Sequence, residues 1–187
     1  MTKLCELAYK YGSDKCPQIL HNYTPYYYKL LKGRRKTIKK VLEMGVGYSE
    51  IMDHCPNYQD GSSLRMWADF FPNAMVYGAD IHKGCLFQTD RIKTFYCDET
   101  LESDLKNLIK QTGSDIDLFI DDGSHEYREQ MFMCLTLMPM LKKDVIYIIE
   151  DVSDTNPKRN CFEQFDYQSI EFDVRQPSDR IVVIRNK

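Results

Sequence analysis

Val41-Leu42-Glu43-Met44-Gly45-Val46-Gly47 is the stretch that decides the fold. The apolar segment between Ile38 and Met44 is stopped by two glycines, as a strand buried in a parallel sheet is stopped. Four further segments repeat the pattern toward the C-terminus. Met75–Ile81 ends in Asp80, Lys93–Cys97 stops just before Asp98, Asp115–Ile120 runs into Asp121-Asp122, and Val145–Ile149 closes on Glu150-Asp151. Helical patterns lie between them. Ser62 and Ser63 precede an apolar periodic run as N-caps do, predicting a helix to about Phe71. Leu101, Leu105, Leu108 and Ile109 mark a second, and Tyr127, Met131, Cys134, Leu135 and Met138 a third. Upstream, after a polar N-terminal stretch, Tyr23, Tyr26, Tyr27, Leu30 and Leu31 follow one helix face, with Pro25 in the first turn. At the other end, Ile170–Val174 and Arg180–Ile184 alternate around Gln176-Pro177-Ser178-Asp179, predicting an antiparallel hairpin. The sum is an α/β fold, a mostly parallel sheet whose ligands bind outside the carboxyl ends of its strands.

The 187 residues carry 25 Lys+Arg against 28 Asp+Glu, a net charge of -3, with 43% hydrophobic composition. One compact domain fits that length, and the acidic balance argues against a dedicated nucleic-acid binder. No apolar run approaches the ~18 residues of a membrane span, and charges occupy the place of a signal peptide's apolar region. The expectation is a soluble, cytoplasmic protein. Seven cysteines without a C-x-x-C pair support neither a disulfide framework nor a zinc knuckle.

The chemistry gathers at the strand ends. Gly45 and Gly47 let backbone approach a ligand, although Glu50 stands where a dinucleotide fingerprint needs a third glycine, and a tight strand-to-helix turn explains the pair equally. Glu43 repels a pyrophosphate but suits a sulfonium or ammonium, and Asp80 would accept from ribose hydroxyls. Together they point to an adenosine ligand without pyrophosphate. Asp122, Glu150 and Asp151 come from two consecutive strand ends and offer three hard oxygen ligands for Mg²⁺ or a similar ion, unless they cap helices or pair with Lys and Arg. His125, three residues after Asp122, is placed as a general base or as a structural histidine. His21, His54 and His82 have no comparable setting, although His82 beside Asp80 could line the cofactor pocket.

These motifs carry a resemblance. Gly12-Ser13-Asp14-Lys15, Tyr23-Thr24-Pro25-Tyr26-Tyr27, Val41–Gly47, Ser63-Leu64-Arg65-Met66-Trp67, Phe71-Pro72-Asn73-Ala74, Asp121-Asp122-Gly123-Ser124-His125 and Ile149-Glu150-Asp151 resemble the metal-dependent sugar O-methyltransferases of the macrolide deoxysugar and rhamnosyl type. The resemblance implies a Rossmann-like class I S-adenosylmethionine fold over residues 1–187, with 1–37 a helical segment packing on or over the cofactor site. It implies Glu43, Gly45, Ser63 and Asp80 around S-adenosylmethionine, Asp98 near its adenine and Asp121 near its methionine moiety. Asp122, Glu150 and Asp151 match the ligands of Mg²⁺ or Mn²⁺, and His125 the base that takes a proton from a sugar hydroxyl as the methyl is transferred. Relatives often carry histidine where this chain has Glu129, and the macrolide-modifying members have an N-terminal extension, so the acceptor is expected to be small or reached in an open cleft. A catechol-type methyltransferase, a nucleic-acid methyltransferase or binding module built on the basic run Lys29–Lys40, and a non-enzymatic remnant are the rival readings. The aromatic N-terminal helix could pack on its own sheet or on a second copy, as a homo-oligomer.

Overall fold

The computed structural model describes residues 1–153, 164–172 and 179–187. Seven strands, β1 (Lys40–Met44), β2 (Met75–Asp80), β3 (Ile92–Tyr96), β4 (Leu118–Asp121), β5 (Ile146–Ile149), β6 (Asp166–Glu171) and β7 (Arg180–Arg185), form one sheet in the order β3-β2-β1-β4-β5-β7-β6. The first five are parallel, and β7 lies antiparallel between β5 and β6. Helices α1 (Lys3–Tyr11), α2 (Tyr23–Leu31), α3 (Ser62–Phe70), α4 (Glu102–Thr112) and α5 (Tyr127–Leu137) cover the two faces.

Side chains of a strand point alternately to its two faces, so the sheet divides its apolar residues into two cores. Val41, Val76, Leu118, Ile120, Ile146 and Ile148 pack with α1, α2 and α3 on one side. Leu42, Met44, Phe119, Tyr147 and Ile149 pack with α4 and α5 on the other. Burial on both faces is why the central strands read as continuous apolar runs rather than alternating ones.

Three expectations need correction. The N-terminal stretch is not merely polar: Leu4, Leu7 and Ala8 bury one face of α1, which begins with the Thr2 hydroxyl accepting from the Cys5 N–H and ends at Gly12 in the left-handed conformation. Ser62 and Ser63 are not caps but lie inside the first turn of α3. The capping position is Gly61, at φ 67, where a Cβ would stand 2.4 Å from the Phe87 ring. The two strands of the expected hairpin pair antiparallel, but the first starts at Asp166, earlier than Ile170, and pairs Ser169 with Val182. Residues 173–178, which include Val174 and most of the expected turn, lie outside the described residues. Cys5, Cys16, Cys55, Cys85, Cys97 and Cys134 are buried. Among the described residues no helix is long and apolar enough to cross a membrane.

Beside β1 the strand order reverses, with β2 on one side and β4 on the other, which opens a crevice at the carboxyl ends. There the chain leaves β1 through Gly45, whose N–H donates to the Ala79 carbonyl while the Asp122 N–H donates to the Met44 carbonyl. Gly45 has φ +90, and a Cβ on it would lie 2.0 Å from the Asp122 carbonyl oxygen. Gly45→Ala is therefore expected to lower unfolding free energy by about 3 kcal/mol or more, as read from urea denaturation. Wild-type stability in that variant would show that the turn relaxes freely.

Candidate active site at the carboxyl edge of the sheet

A cavity of about 310 Å³ opens over the ends of β1, β2 and β4, a volume at the lower end of small-ligand sites. Gly45, Ser63, Asp80, Asp98, Asp122 and His125 line it, together with Ser13, Asp14 and Lys15 from the α1–α2 connection. Glu43, Asp121, Glu150 and Asp151 are buried behind its wall.

Asp80 fastens the glycine turn. Its Oδ2 accepts from the Val46 and Gly47 N–H groups at 2.8 and 3.3 Å, and its Oδ1 from the His82 N–H at 2.7 Å. The His82 ring stacks on Tyr48. Asp98 accepts from the Thr100 N–H and hydroxyl. Next to it, Glu99 crosses to the β4–α5 loop and accepts from the Ser124 N–H at 2.8 Å, filling the place a Cβ on Gly123 would take. Burial pushes the Asp121 carboxyl well up, and its Oδ2 has no hydrogen-bond partner.

The acids behind the wall surround one ammonium. Gly12 turns the chain out of α1, the Lys15 carbonyl accepts from the Thr24 N–H at the start of α2, and the Lys15 side chain is thereby aimed inward. Lys15 Nζ lies 2.5 Å from Asp122 Oδ2, 2.5 Å from Glu150 Oε2 and 3.6 Å from Glu43 Oε1. Burial works against its charge, but the three carboxylates hold its pKa well above the usual lysine value. Glu43 Oε2 also accepts from Trp67 Nε1 at 2.6 Å, and burial pushes its carboxyl up to about 7. The second oxygen of Glu150 accepts from the Tyr27 hydroxyl at 2.7 Å.

On the cavity side, His125 Nε2 stands 3.2 Å from Asp122 Oδ1 and 3.7 Å from Asp151 Oδ2. Asp122, His125 and Asp151 each offer one ligand atom, all within 4.8 Å of one another. Of the expected ligand set the structure thus brings Asp122 and Asp151 together with His125, while both oxygens of Glu150 are engaged by Lys15 and Tyr27. Burial opposes ionisation of Asp122, yet Lys15 and His125 hold its carboxyl well below the usual range.

Sequence reasoning gave Lys15 no role of its own and found no setting for His21. The His21 ring is buried against Tyr23, with Nδ1 2.9 Å from Asp179 Oδ1 and 3.9 Å from Asp151 Oδ1. Tyr23 donates its hydroxyl to Asp151 Oδ1 at 2.8 Å. A signal toward Lys15 and Tyr23 lay in the Gly12–Lys15 and Tyr23–Tyr27 segments of the resemblance, whereas His21 lies in neither. Two members of the basic run are engaged within the fold. Arg35 donates to the Phe70 carbonyl, and Lys40 pairs with Asp115.

No protein-family model matches the chain. Over 153 residues it is 34% identical to the 8-demethyl-8-alpha-L-rhamnosyl tetracenomycin-C 2'-O-methyltransferase of Streptomyces olivaceus, covering 80% of this chain and 37% of that protein. It is likewise 34% identical over 150 residues to the mycinamicin VI 2''-O-methyltransferase of Micromonospora griseorubida, with 80% and 36% coverage. It superposes on the MycE methyltransferase in complex with Mg, SAH and mycinamycin VI with a TM-score of 0.70 and 33% identity, over 80% of this chain and 39% of that one. The chain is a homologue of the sugar O-methyltransferases. It spans little more than a third of the length of the curated relatives it matches. Its fold is that of S-adenosylmethionine-dependent methyltransferases, and the order of its strands places the cavity where such folds bind ligands.

The pairing of His125 has a pH signature. Burial lowers its basicity, but Asp122 and Asp151 outweigh burial and raise its pKa to about 9. A raised folded pKa means the pair's contribution to stability is fully present below the unfolded histidine value of ~6.5 and is lost as pH rises through about 9. In protein freed of metal with EDTA, the His125 ring signals in NMR should titrate near pH 9, and Asp122→Asn should move that midpoint down. A midpoint near 6.5 in wild type would contradict the pairing.

Proposed function

We propose that this chain is an S-adenosylmethionine-dependent, metal-assisted O-methyltransferase acting on a hydroxyl of a sugar, such as a deoxysugar of the rhamnose type carried on a nucleotide or a glycan. The observation that carries the reading is the convergence of Asp122 and His125, which line a cavity whose floor is the Gly45–Gly47 turn, with the buried Asp151 just behind them. Asp122 and Asp151 offer hard carboxylate oxygens that suit Mg²⁺ or Mn²⁺, and the His125 imidazole lies within 4.8 Å of both. Asp122 and Asp151 would hold the ion, with Glu150 beside them on the end of β5. When bound, such an ion lowers the pKa of a sugar hydroxyl and fixes its oxygen.

The remaining tasks fall to the chain itself. Gly45 lets backbone come close to the cofactor, Ser63, Asp80 and Asp98 offer it polar contacts along the cavity, and Glu43 and Asp121 lie buried behind that wall, where burial disfavours their charge. His125 lines the cavity and takes the hydroxyl proton on its imidazole. Neutralising Asp122 and Asp151 removes the charge that raises its pKa and returns the imidazole toward the range of a base. The methyl leaves a cationic sulfur, so the charge separation decreases and a dry, aligned site favours transfer.

The test is incubation with labelled S-adenosylmethionine and a panel of nucleotide sugars, rhamnosides and catechol, with product detected by mass. Methylation of a sugar diol should vanish in EDTA and return with Mg²⁺ or Mn²⁺. His125→Ala should lower turnover by roughly 10²–10⁴ with cofactor affinity nearly intact. Transfer to catechol alone would shift the reading to the aromatic class, and full activity after metal stripping would remove the ion from it.

A further inference from the structure

Lys15 has no task in this scheme, yet it is the most deeply buried lysine or arginine among the described residues, with 2% of its surface exposed. Its ammonium sits on one oxygen of Asp122 while His125 faces the other, so Asp122 is shared between an internal cation and the cavity rim. Glu150 is turned away from the rim by the same ammonium and by Tyr27. Glu43, the third acid at Lys15, has no other cation within ion-pair distance among the described residues. Lys15 Nζ meets all three carboxylates, whereas Tyr27, Trp67 and His125 each hold one of them.

We propose that Lys15 is a resident counter-ion. It holds the acidic ends of β1, β4 and β5 together when no metal is present, and its positive charge beside Asp122 keeps the affinity of the neighbouring rim for a divalent cation low. This inference rests on the reading that Asp122 and Asp151 hold such a cation. Two effects of removing the ammonium follow from Coulomb's law and run in opposite directions. The metal-free fold loses stability, because buried carboxylates are left facing each other. The rim becomes more negative, so a divalent ion binds more tightly and restores part of what was lost. A side chain that only filled space would, on removal, loosen both the fold and the ion.

The experiment titrates Mn²⁺ into the full chain by electron paramagnetic resonance and records thermal melts in EDTA and in excess Mn²⁺. Wild type, Lys15→Met and the double variant Lys15→Met/Glu43→Gln are compared. The double variant removes one charge of each sign and keeps an acceptor for Trp67, so it serves if the single variant does not fold. Lys15→Met should melt lower than wild type in EDTA, show a larger rise of Tm with Mn²⁺, and bind Mn²⁺ roughly tenfold more tightly. The double variant should bind severalfold more tightly than wild type. Mn²⁺ binding seen in a variant but not in wild type would support the proposal in its strongest form. Mn²⁺ binding by wild type with equal or weaker affinity in folded variants would overturn the role of Lys15 and leave the metal reading standing. No binding by any of the three would overturn both.

Discussion

The ion cluster around Lys15 is the constraint on which the rest of the site depends. Parallel strands bring their carboxyl ends to one edge, and here β1, β4 and β5 end in or run into Glu43, Asp122, Glu150 and Asp151. An uncompensated buried carboxylate costs several kcal/mol, so this edge cannot close until cationic and hydroxyl donors reach it. They arrive from the N-terminal segment. Lys15 meets three acids, Tyr27 meets Glu150, and Tyr23 meets Asp151. Burial pushes both phenols up, which keeps them as donors rather than charges. The α1–α2 segment is thereby as much a part of the site as the strand ends are.

The glycine turn supplies a second condition. Asp80 at the end of β2 reaches across to the N–H groups of Val46 and Gly47, so the strand that would offer a carboxylate to a ribose also fixes the loop that would face its adenosine. Glu99 does the same from the end of β3, gripping the Ser124 N–H one residue before His125. Each wall of the cavity is held by a side chain from a neighbouring strand end. A cofactor lying along these ends would touch the groups that position the acid and base machinery.

What was legible in the sequence follows from where each segment packs. Central strands buried on both faces leave continuous apolar runs ended by glycine or an acid, and their order and ends could be read to within a few residues. The edge strand β6 is largely exposed, so its Asp166-Tyr167-Gln168 start carried no apolar signal. Helix α1 hides its apolar stripe of Leu4, Leu7 and Ala8 among lysines, glutamate and tyrosines over only nine residues. Lys15 was illegible for a different reason. A lone lysine in a polar loop ordinarily extends into water, and only the tertiary placement of three acids makes its burial possible. Glu43 was legible as a charged residue at the strand end, but the sequence alone did not place it behind the cavity wall against Trp67.

Glu150 and Asp151 are adjacent, yet one is drawn inward to Lys15 and Tyr27 while the other approaches His125. Extended backbone would also send neighbours to opposite faces, but here the strand has ended and Asp151 adopts a left-handed φ of 51. His125, which faces it, does the same at φ 60. Each such residue without glycine's freedom costs about 1–2 kcal/mol. Such strain persists only where the surroundings over-determine it, and these surroundings do. The Tyr23 hydroxyl and His21 hold Asp151 from behind, and Asp122 holds His125 from the side. Two residues in the left-handed region, a carboxylate and an imidazole, therefore meet across 3.7 Å, each also held by another side chain, Asp151 by Tyr23 and His125 by Asp122.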